Sequence, residues 1–176
     1  MRTVVTLLAL SALISSNSFA QDKRFVEVGT AFGVTLSIPD DGDTEVFAGV
    51  PGAGTFIGFP SLYATFFATP ALMIEPQLYF YYSSLDEEAL ISPMLQLGYL
   101  FKPEANASPY VAINGGGFFF TEGGASNSGA VGAAVGYRFS LSSGAAFRTE
   151  LLYRRWLGEY WEFSDLSLRL GLGAVL

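Results

Sequence analysis

The sequence predicts an all-β fold, an eight-stranded antiparallel up-and-down transmembrane β-barrel. Three observations predict it. Apolar residues recur with a period of two along most of the chain, as they do when side chains alternate between the two faces of a strand. The apolar set stays nearly free of charge over about ten residues per segment, close to the ~9–11 that a tilted strand needs to cross a bilayer. The connections alternate between modest ones and longer ones that carry the acids, as in a meander with tight turns inside a membrane and loops outside it.

Residues 1–20 read as a secretory signal peptide. Arg2 is the positive start, residues 4–14 are apolar, and Ser18-Phe19-Ala20 offers the small residues that precede cleavage, placing the cut before Gln21. The apolar run is too short to span a membrane as a helix. Cleavage leaves one domain, residues 21–176, with eight basic and sixteen acidic residues and a net charge of −8.

The first strand is predicted at 24–38, where Val26, Val28, Phe32, Val34 and Leu36 alternate with Glu27, Gly29, Ala31, Gly33 and Thr35. The second, at 56–68, is the least regular. It lies in a charge-free stretch from Glu45 to Glu75, but Pro51, Pro60 and Pro70 exclude a spanning helix there. The third is predicted at 71–82 and the fourth at 89–101. The fifth, at 109–120, is weakened by Gly115-Gly116-Gly117. The sixth and seventh follow at 129–140 and 145–157. The eighth, at 165–176, is the clearest: Leu166, Leu168, Leu170, Leu172, Ala174 and Leu176 alternate with Asp165, Ser167, Arg169, Gly171, Gly173 and Val175.

Alternation alone does not say which set faces inward; composition does. The polar set holds Glu27, Glu75, Arg138, Arg148, Glu150, Arg154 and Arg169, with Gln77, Gln96 and Asn114. A soluble barrel would scatter lysine and glutamate over its outside, yet the chain has two lysines, Lys23 and Lys102, near the terminus or a turn. The polar set is therefore expected inside, where charges must pair because isolated ones are costly in a low dielectric. Two readings follow: a packed polar plug that fixes strand register, or a solute path with a charge-selective lining. The narrow bore of eight strands favours the plug. Aromatic girdles are expected at Phe66, Phe67, Tyr99 and Phe101 on one side. On the other they are expected at Tyr81, Tyr82, residues 118–120, Trp156, Tyr160 and Trp161.

Composition excludes several functions. The chain is 51% apolar and 15% aromatic, which excludes disorder, and it has no cysteine for a disulfide scaffold. A net charge of −7 argues against nucleic acid. With no histidine the commonest general base is missing. No catalytic residue, metal or cofactor is assigned, and the chain is read as a non-enzyme. Pro39-Asp40-Asp41-Gly42-Asp43 has the look of a calcium loop, but Pro51 stands where the distal glutamate belongs, so a solvated turn is expected. Gly52-Ala53-Gly54 lacks the strand-to-helix setting of a phosphate cradle.

The signal peptide, the eight alternating strands and three segments carry a family resemblance. The segments are Ile74-Glu75-Pro76-Gln77-Leu78, Val135-Gly136-Tyr137-Arg138-Phe139 and Leu168-Arg169-Leu170-Gly171-Leu172. Together they resemble the small Gram-negative outer-membrane β-barrel proteins, the group of the OmpA transmembrane domain and the OmpX and Ail type proteins. The resemblance covers residues 21–176 and is one of pattern. It implies a location in the outer membrane, insertion by the β-barrel assembly machinery, both termini in the periplasm, four surface loops and a monomer. Such chains usually end in an aromatic residue, whereas this one ends in Leu176. Enzymes on such barrels rely on histidine, so no catalytic residue carries across. No peptidoglycan-binding segment follows the barrel, so tethering to the cell wall is not implied.

Eleven of the sixteen acids are assigned to the outer side: Asp40, Asp41, Asp43, Glu45, Asp86, Glu87, Glu88, Glu122, Glu159, Glu162 and Asp165. They keep loops soluble. A sharper reading is contact with anionic lipopolysaccharide, bridged by divalent cations at Asp40, Asp41, Asp43, Asp86, Glu87 and Glu88, with Arg155 touching phosphate directly. Tyr160, Trp161 and Phe163 are read as outer girdle rather than as an adhesive patch. The expected function is structural or interactive: envelope integrity, adhesion or surface recognition through acidic outer loops. The alternative is a narrow channel for small solutes.

Overall fold

The computed structural model describes residues 26–40, 44–48, 61–83, 88–120, 128–142, 144–158 and 163–176. The expected signal peptide lies outside them. The strands are β1 (Val26–Pro39), β2 (Glu45–Ala48), β3 (Ser61–Phe67), β4 (Leu72–Ser83), β5 (Glu88–Leu100), β6 (Ala107–Phe120), β7 (Ser128–Ser142), β8 (Ala145–Leu157) and β9 (Phe163–Val175). All pairings are antiparallel, each strand from β3 on pairs with the next, and β1 pairs with β9 to close the sheet. The wall has eight positions. The second is shared by two short strands, because β2 pairs with residues 34–37 of β1 and β3 with residues 26–31. Glu45–Ala48 was expected in a loop. Four residues are too few for periodicity to register, and β1 supplies the hydrogen-bonding edge that makes them a strand. Gly115-Gly116-Gly117 does not interrupt β6, since all three hold their register against β7.

The barrel is inside out relative to a soluble one. On β9, Leu168 is 53% exposed while its neighbour Ser167 is 1% exposed. Leu62, Ile113, Val131, Val135 and Leu151 likewise face outward, and Glu27, Glu75, Gln96 and Asp165 are buried inside. Closure matters for this arrangement. A hydrocarbon surround offers no hydrogen-bonding partner, so every backbone group must be paired within the sheet. Pro93 tests that rule, because it has no N–H to donate, and the β5–β6 pairing breaks off at Ile91 opposite Phe119 and resumes at Met94 opposite Gly116. The neighbouring Ser92 hydroxyl donates to the Gly117 carbonyl instead, at 2.9 Å.

Both ends of the barrel wall, Val26 and Val175, lie at one end, called here the terminal end. Tight turns at 68–71 and 101–106 lie there too, closed by the Ala68 N–H donating to the Leu72 carbonyl at 2.9 Å and the Ala105 N–H to the Lys102 carbonyl at 3.0 Å. The opposite end is the loop end.

Candidate functional site

The chemistry of this chain is concentrated inside the barrel. Period-two alternation sends one side chain in two inward, and strands far apart in sequence meet across the bore. Near the terminal end, Glu27 accepts from Arg138 Nε at 2.8 Å and from the Tyr63 hydroxyl at 3.0 Å. Arg148 Nε lies 3.7 Å from the same carboxylate. The Arg148 guanidinium sits 3.8 Å above the Tyr63 ring and reaches Glu75 at 2.5 Å. Glu75 also accepts from Gln77 at 2.7 Å and from the Thr65 hydroxyl. Further along, Glu150 accepts from Arg169 Nη1 at 3.0 Å, and from Gln96 and Tyr110, each at 2.8 Å. Toward the loop end, Arg154 Nε meets Asp165 at 2.9 Å.

All seven interior residues named from the sequence lie in ion pairs inside the barrel: Arg138 and Arg148 with Glu27, Arg148 also with Glu75, Arg169 with Glu150, and Arg154 with a residue outside the seven. Asp165 is the eighth member. It had been placed among the outer loop acids, but it is fully buried and points inward. Its parity with Ser167 and Arg169 was the signal that locates it. With Asp165, four arginines face four carboxylates among the described residues. Burying a charge costs several kcal/mol unless a partner and further hydrogen bonds compensate it. Here each carboxylate accepts from at least two donors.

Two apolar clusters fill the space beside the charges. One joins Tyr79, Met94, Ala130, Trp156 and Phe163. The other joins Met73, Leu100, Tyr110, Ala112, Ala134 and Leu152, with Phe67 packed against it. Three aromatics therefore leave the expected exterior. Trp156 and Phe163 are buried and stacked at 5.7 Å, and the Trp156 indole N–H donates to Asp165 at 2.5 Å. Phe67 turns inward, beneath the Arg138 guanidinium. Their positions near the strand ends suggested a girdle, but their parity puts them in the bore. Tyr99 and Phe101 do face outward.

The loop-end rim has a different pair. Arg155 lies on the outward face of β8 and binds both Asp40 oxygens at 2.5 Å, reaching across β9 beside Ser164. Hydrogen bonds from Arg155, reinforced by its charge, hold the Asp40 carboxyl below the usual carboxylate range. Asp41, Asp43, Asp86 and Glu87 lie outside the described residues, as does the Glu88 side chain. Among the described residues no group of three metal-ligating side chains is present.

Comparison with solved structures finds the same architecture at low identity. Neisserial surface protein A is 15% identical, with a TM-score of 0.58 over 87% of this chain and 97% of that one. The outer membrane protein AlkL, solved in lipid bilayers, is 17% identical, with a TM-score of 0.57 over 88% and 91%. The outer membrane protein OprG from Pseudomonas aeruginosa is 11% identical, with a TM-score of 0.55 over 87% and 96%. The chain has the fold of the small outer-membrane barrels. No family model and no curated protein matches it. The identities are too low to carry a role across, so function has to be argued from the interior and the rim.

Proposed function

We propose that this chain is a non-conducting, non-enzymatic barrel of the outer membrane that serves structure and surface interaction. One observation carries the reading: four arginines and four carboxylates neutralise one another inside a bore that apolar side chains also fill. A solute path needs mobile water and spare coordination. These charges are committed to each other, across strands as far apart as β1 and β7 or β4 and β8. The network acts as a polar plug that fixes strand register, because slipping a strand by one residue would turn its charges into lipid. A cleaved signal peptide at residues 1–20 and insertion by the β-barrel assembly machinery belong to this reading.

The interactive half of the role falls to the acidic outer side. Both Asp40 oxygens are taken by Arg155, so divalent cations against lipopolysaccharide phosphate would fall to Asp41, Asp43, Asp86, Glu87 and Glu88 beside that pair.

Planar-bilayer recording tests the plug. A flat trace is expected, and discrete conductance steps would replace the plug with a narrow channel for small solutes. Thermal unfolding in lipopolysaccharide-containing membranes tests the rim. Removing magnesium and calcium should lower the transition, and an unchanged transition would remove lipopolysaccharide bridging.

A further inference from the structure

We infer that the loop-end half of the β4–β5 hairpin, residues 77–83 with 88–92, is a flap hinged on Pro76 and Pro93 that lifts from the wall as one unit. The two strands hold each other without interruption, from Leu72 opposite Tyr99 to Ser83 opposite Glu88. Their outer seams are each cut once. Pairing of β4 with β3 stops at Gln77 opposite Tyr63 and resumes at Ile74 opposite Phe66, and the gap holds Pro76. Pairing of β5 with β6 stops at Ile91 opposite Phe119 and resumes at Met94 opposite Gly116, and the gap holds Pro93. Proline cannot donate to a ladder, so within sheets it belongs at edges and bulges rather than inside a closed wall.

The two gaps lie at nearly one height, since Pro93 stands opposite Leu78 and Pro76 opposite Leu95. Each is stitched from inside by one hydroxyl: Thr65 on β3 donates to the Glu75 carboxylate, and Ser92 on β5 to the Gly117 carbonyl at 2.9 Å. Other seams are continuous. Those of β1 with β9, β6 with β7 and β8 with β9 run without a gap, and that of β7 with β8 shifts only near its turn, between Ser140 and Ser142. Among the described residues, the hairpin beyond the prolines keeps rungs to β3 only at Gln77, Leu78 and Tyr79, and to β6 only at Leu90 and Ile91. On the other side of Pro93, β5 pairs with β6 in an unbroken run from Met94 to Leu100. A segment fully paired within itself and thinly paired to its neighbours opens locally while the rest of a fold stays closed.

The far wall holds the flap shut. Tyr79 packs with Met94, Ala130, Trp156 and Phe163, and its hydroxyl accepts from Arg154 Nη1 on β8 at 3.4 Å. Gln77 accepts from Arg169 Nη1 on β9 at 3.3 Å. Both bonds are long. Contacts on the terminal side of the hinge are shorter: Glu75 meets Arg148 at 2.5 Å, and Gln96 donates to Glu150 at 2.8 Å. Lifting the flap therefore releases Gln77 and Tyr79 first. It takes away the Tyr79 ring that lies 5.5 Å from the Arg154 guanidinium, and so opens the Arg154–Asp165 pair to the medium at the loop end. The Glu75 and Glu150 contacts stay closed, so the flap gives access to interior charge without opening the bore from end to end.

Amide hydrogen exchange of the folded full chain in detergent micelles, read by NMR, tests the flap. Amides of residues 77–83 and 88–92 should exchange as one group. Their rate should exceed that of residues 128–132 and 153–157, at the loop ends of β7 and β8, by about thirtyfold, the combined worth of two absent ordinary hydrogen bonds. Pro76→Ala together with Pro93→Ala supplies the two missing N–H groups. It should bring the flap down to the rate of β7 and β8 and leave exchange at residues 94–100 unchanged. Tyr79→Ala removes the main contact with the far wall and should speed exchange of the flap alone. Should Tyr79→Ala fail to fold, the proline variant still decides, because both prolines are exposed on the lipid face. Flap amides no faster than those of β7 and β8, flap amides with unrelated rates, or a double alanine variant as fast as the parent would each overturn the flap.

Discussion

Arg154 on β8 and Asp165 on β9 face each other across one rung of the sheet, with Arg154 Nε 2.9 Å from the Asp165 carboxylate inside the barrel. The Trp156 indole closes the other side of that carboxylate, and the Arg154 guanidinium lies 5.1 Å over the Trp156 ring. Removing one partner of such a pair leaves a buried charge without compensation. Asp165→Ala should therefore lower stability by about 3–5 kcal/mol, read as a shift of the urea midpoint in micelles. Arg154→Met with Asp165→Leu should recover most of that loss, since an apolar pair of similar volume removes the stranded charge. A midpoint for Asp165→Ala equal to that of the parent chain would contradict the arrangement.

The barrel and most of its interior were legible because two local properties sufficed. Period two gave the strands, and the near absence of lysine on the apolar set gave the inversion. Asp165 follows a run of loop acids, so nearness in sequence points it outward, whereas its parity with Ser167 points it inward, and both are buried. Trp156 and Phe163 present the same conflict. Which acid meets which arginine was not legible at all. Glu27 and Arg138 are 111 residues apart, and Glu75 and Arg148 are 73 apart. Their meeting depends on how the sheet tilts and closes, which no local pattern records.

The exterior makes a separate prediction. Leu168 is half exposed near the middle of β9, where lipid surrounds it. Leu168→Arg should cost about 2–4 kcal/mol in bilayer refolding, the penalty of a cation near the midplane of a barrel wall. Its neighbour Ser167 points inward and hydrogen-bonds the Thr35 hydroxyl at 2.7 Å. The Ser167 hydroxyl also donates to Asp165 Oδ1 at 3.3 Å, so Ser167→Ala should cost about 1–2 kcal/mol, the worth of two hydrogen bonds. A soluble barrel would reverse the order of the two effects.

Gly29 and Gly173 face each other on one rung of β1 and β9, and Gly29 also stands opposite Tyr63 on β3. A Cβ on Gly29 would press on the Leu172 carbonyl and come within 2.5 Å of the Tyr63 ring; one on Gly173 would come within 2.6 Å of Glu27. These two glycines leave the room in which Tyr63 lies under Arg148. Gly29→Ala should cost about 1–3 kcal/mol, the usual range for overpacking, because a backbone carbonyl cannot step aside as a side-chain tip can. Gly144→Ala is the control. A Cβ there meets nothing within 4 Å, so its unfolding midpoint should match that of the parent chain.

The Asp40–Arg155 pair at the rim sets a pH dependence whose direction is fixed. Hydrogen bonds from Arg155, then its charge, hold the Asp40 carboxyl below its ordinary value of 3.8. A carboxyl whose folded value is depressed contributes stability above its unfolded value, and loses it as pH falls through the folded one. The difference in stability between the parent chain and Asp40→Asn should therefore be constant from about pH 8 to about pH 5, then shrink below about pH 4 as the carboxylate protonates. Both groups are partly exposed, so the difference is small and added salt should reduce it further. Paired denaturation curves across pH check this. A difference that grows as pH falls would mean that Asp40 is not stabilised by Arg155.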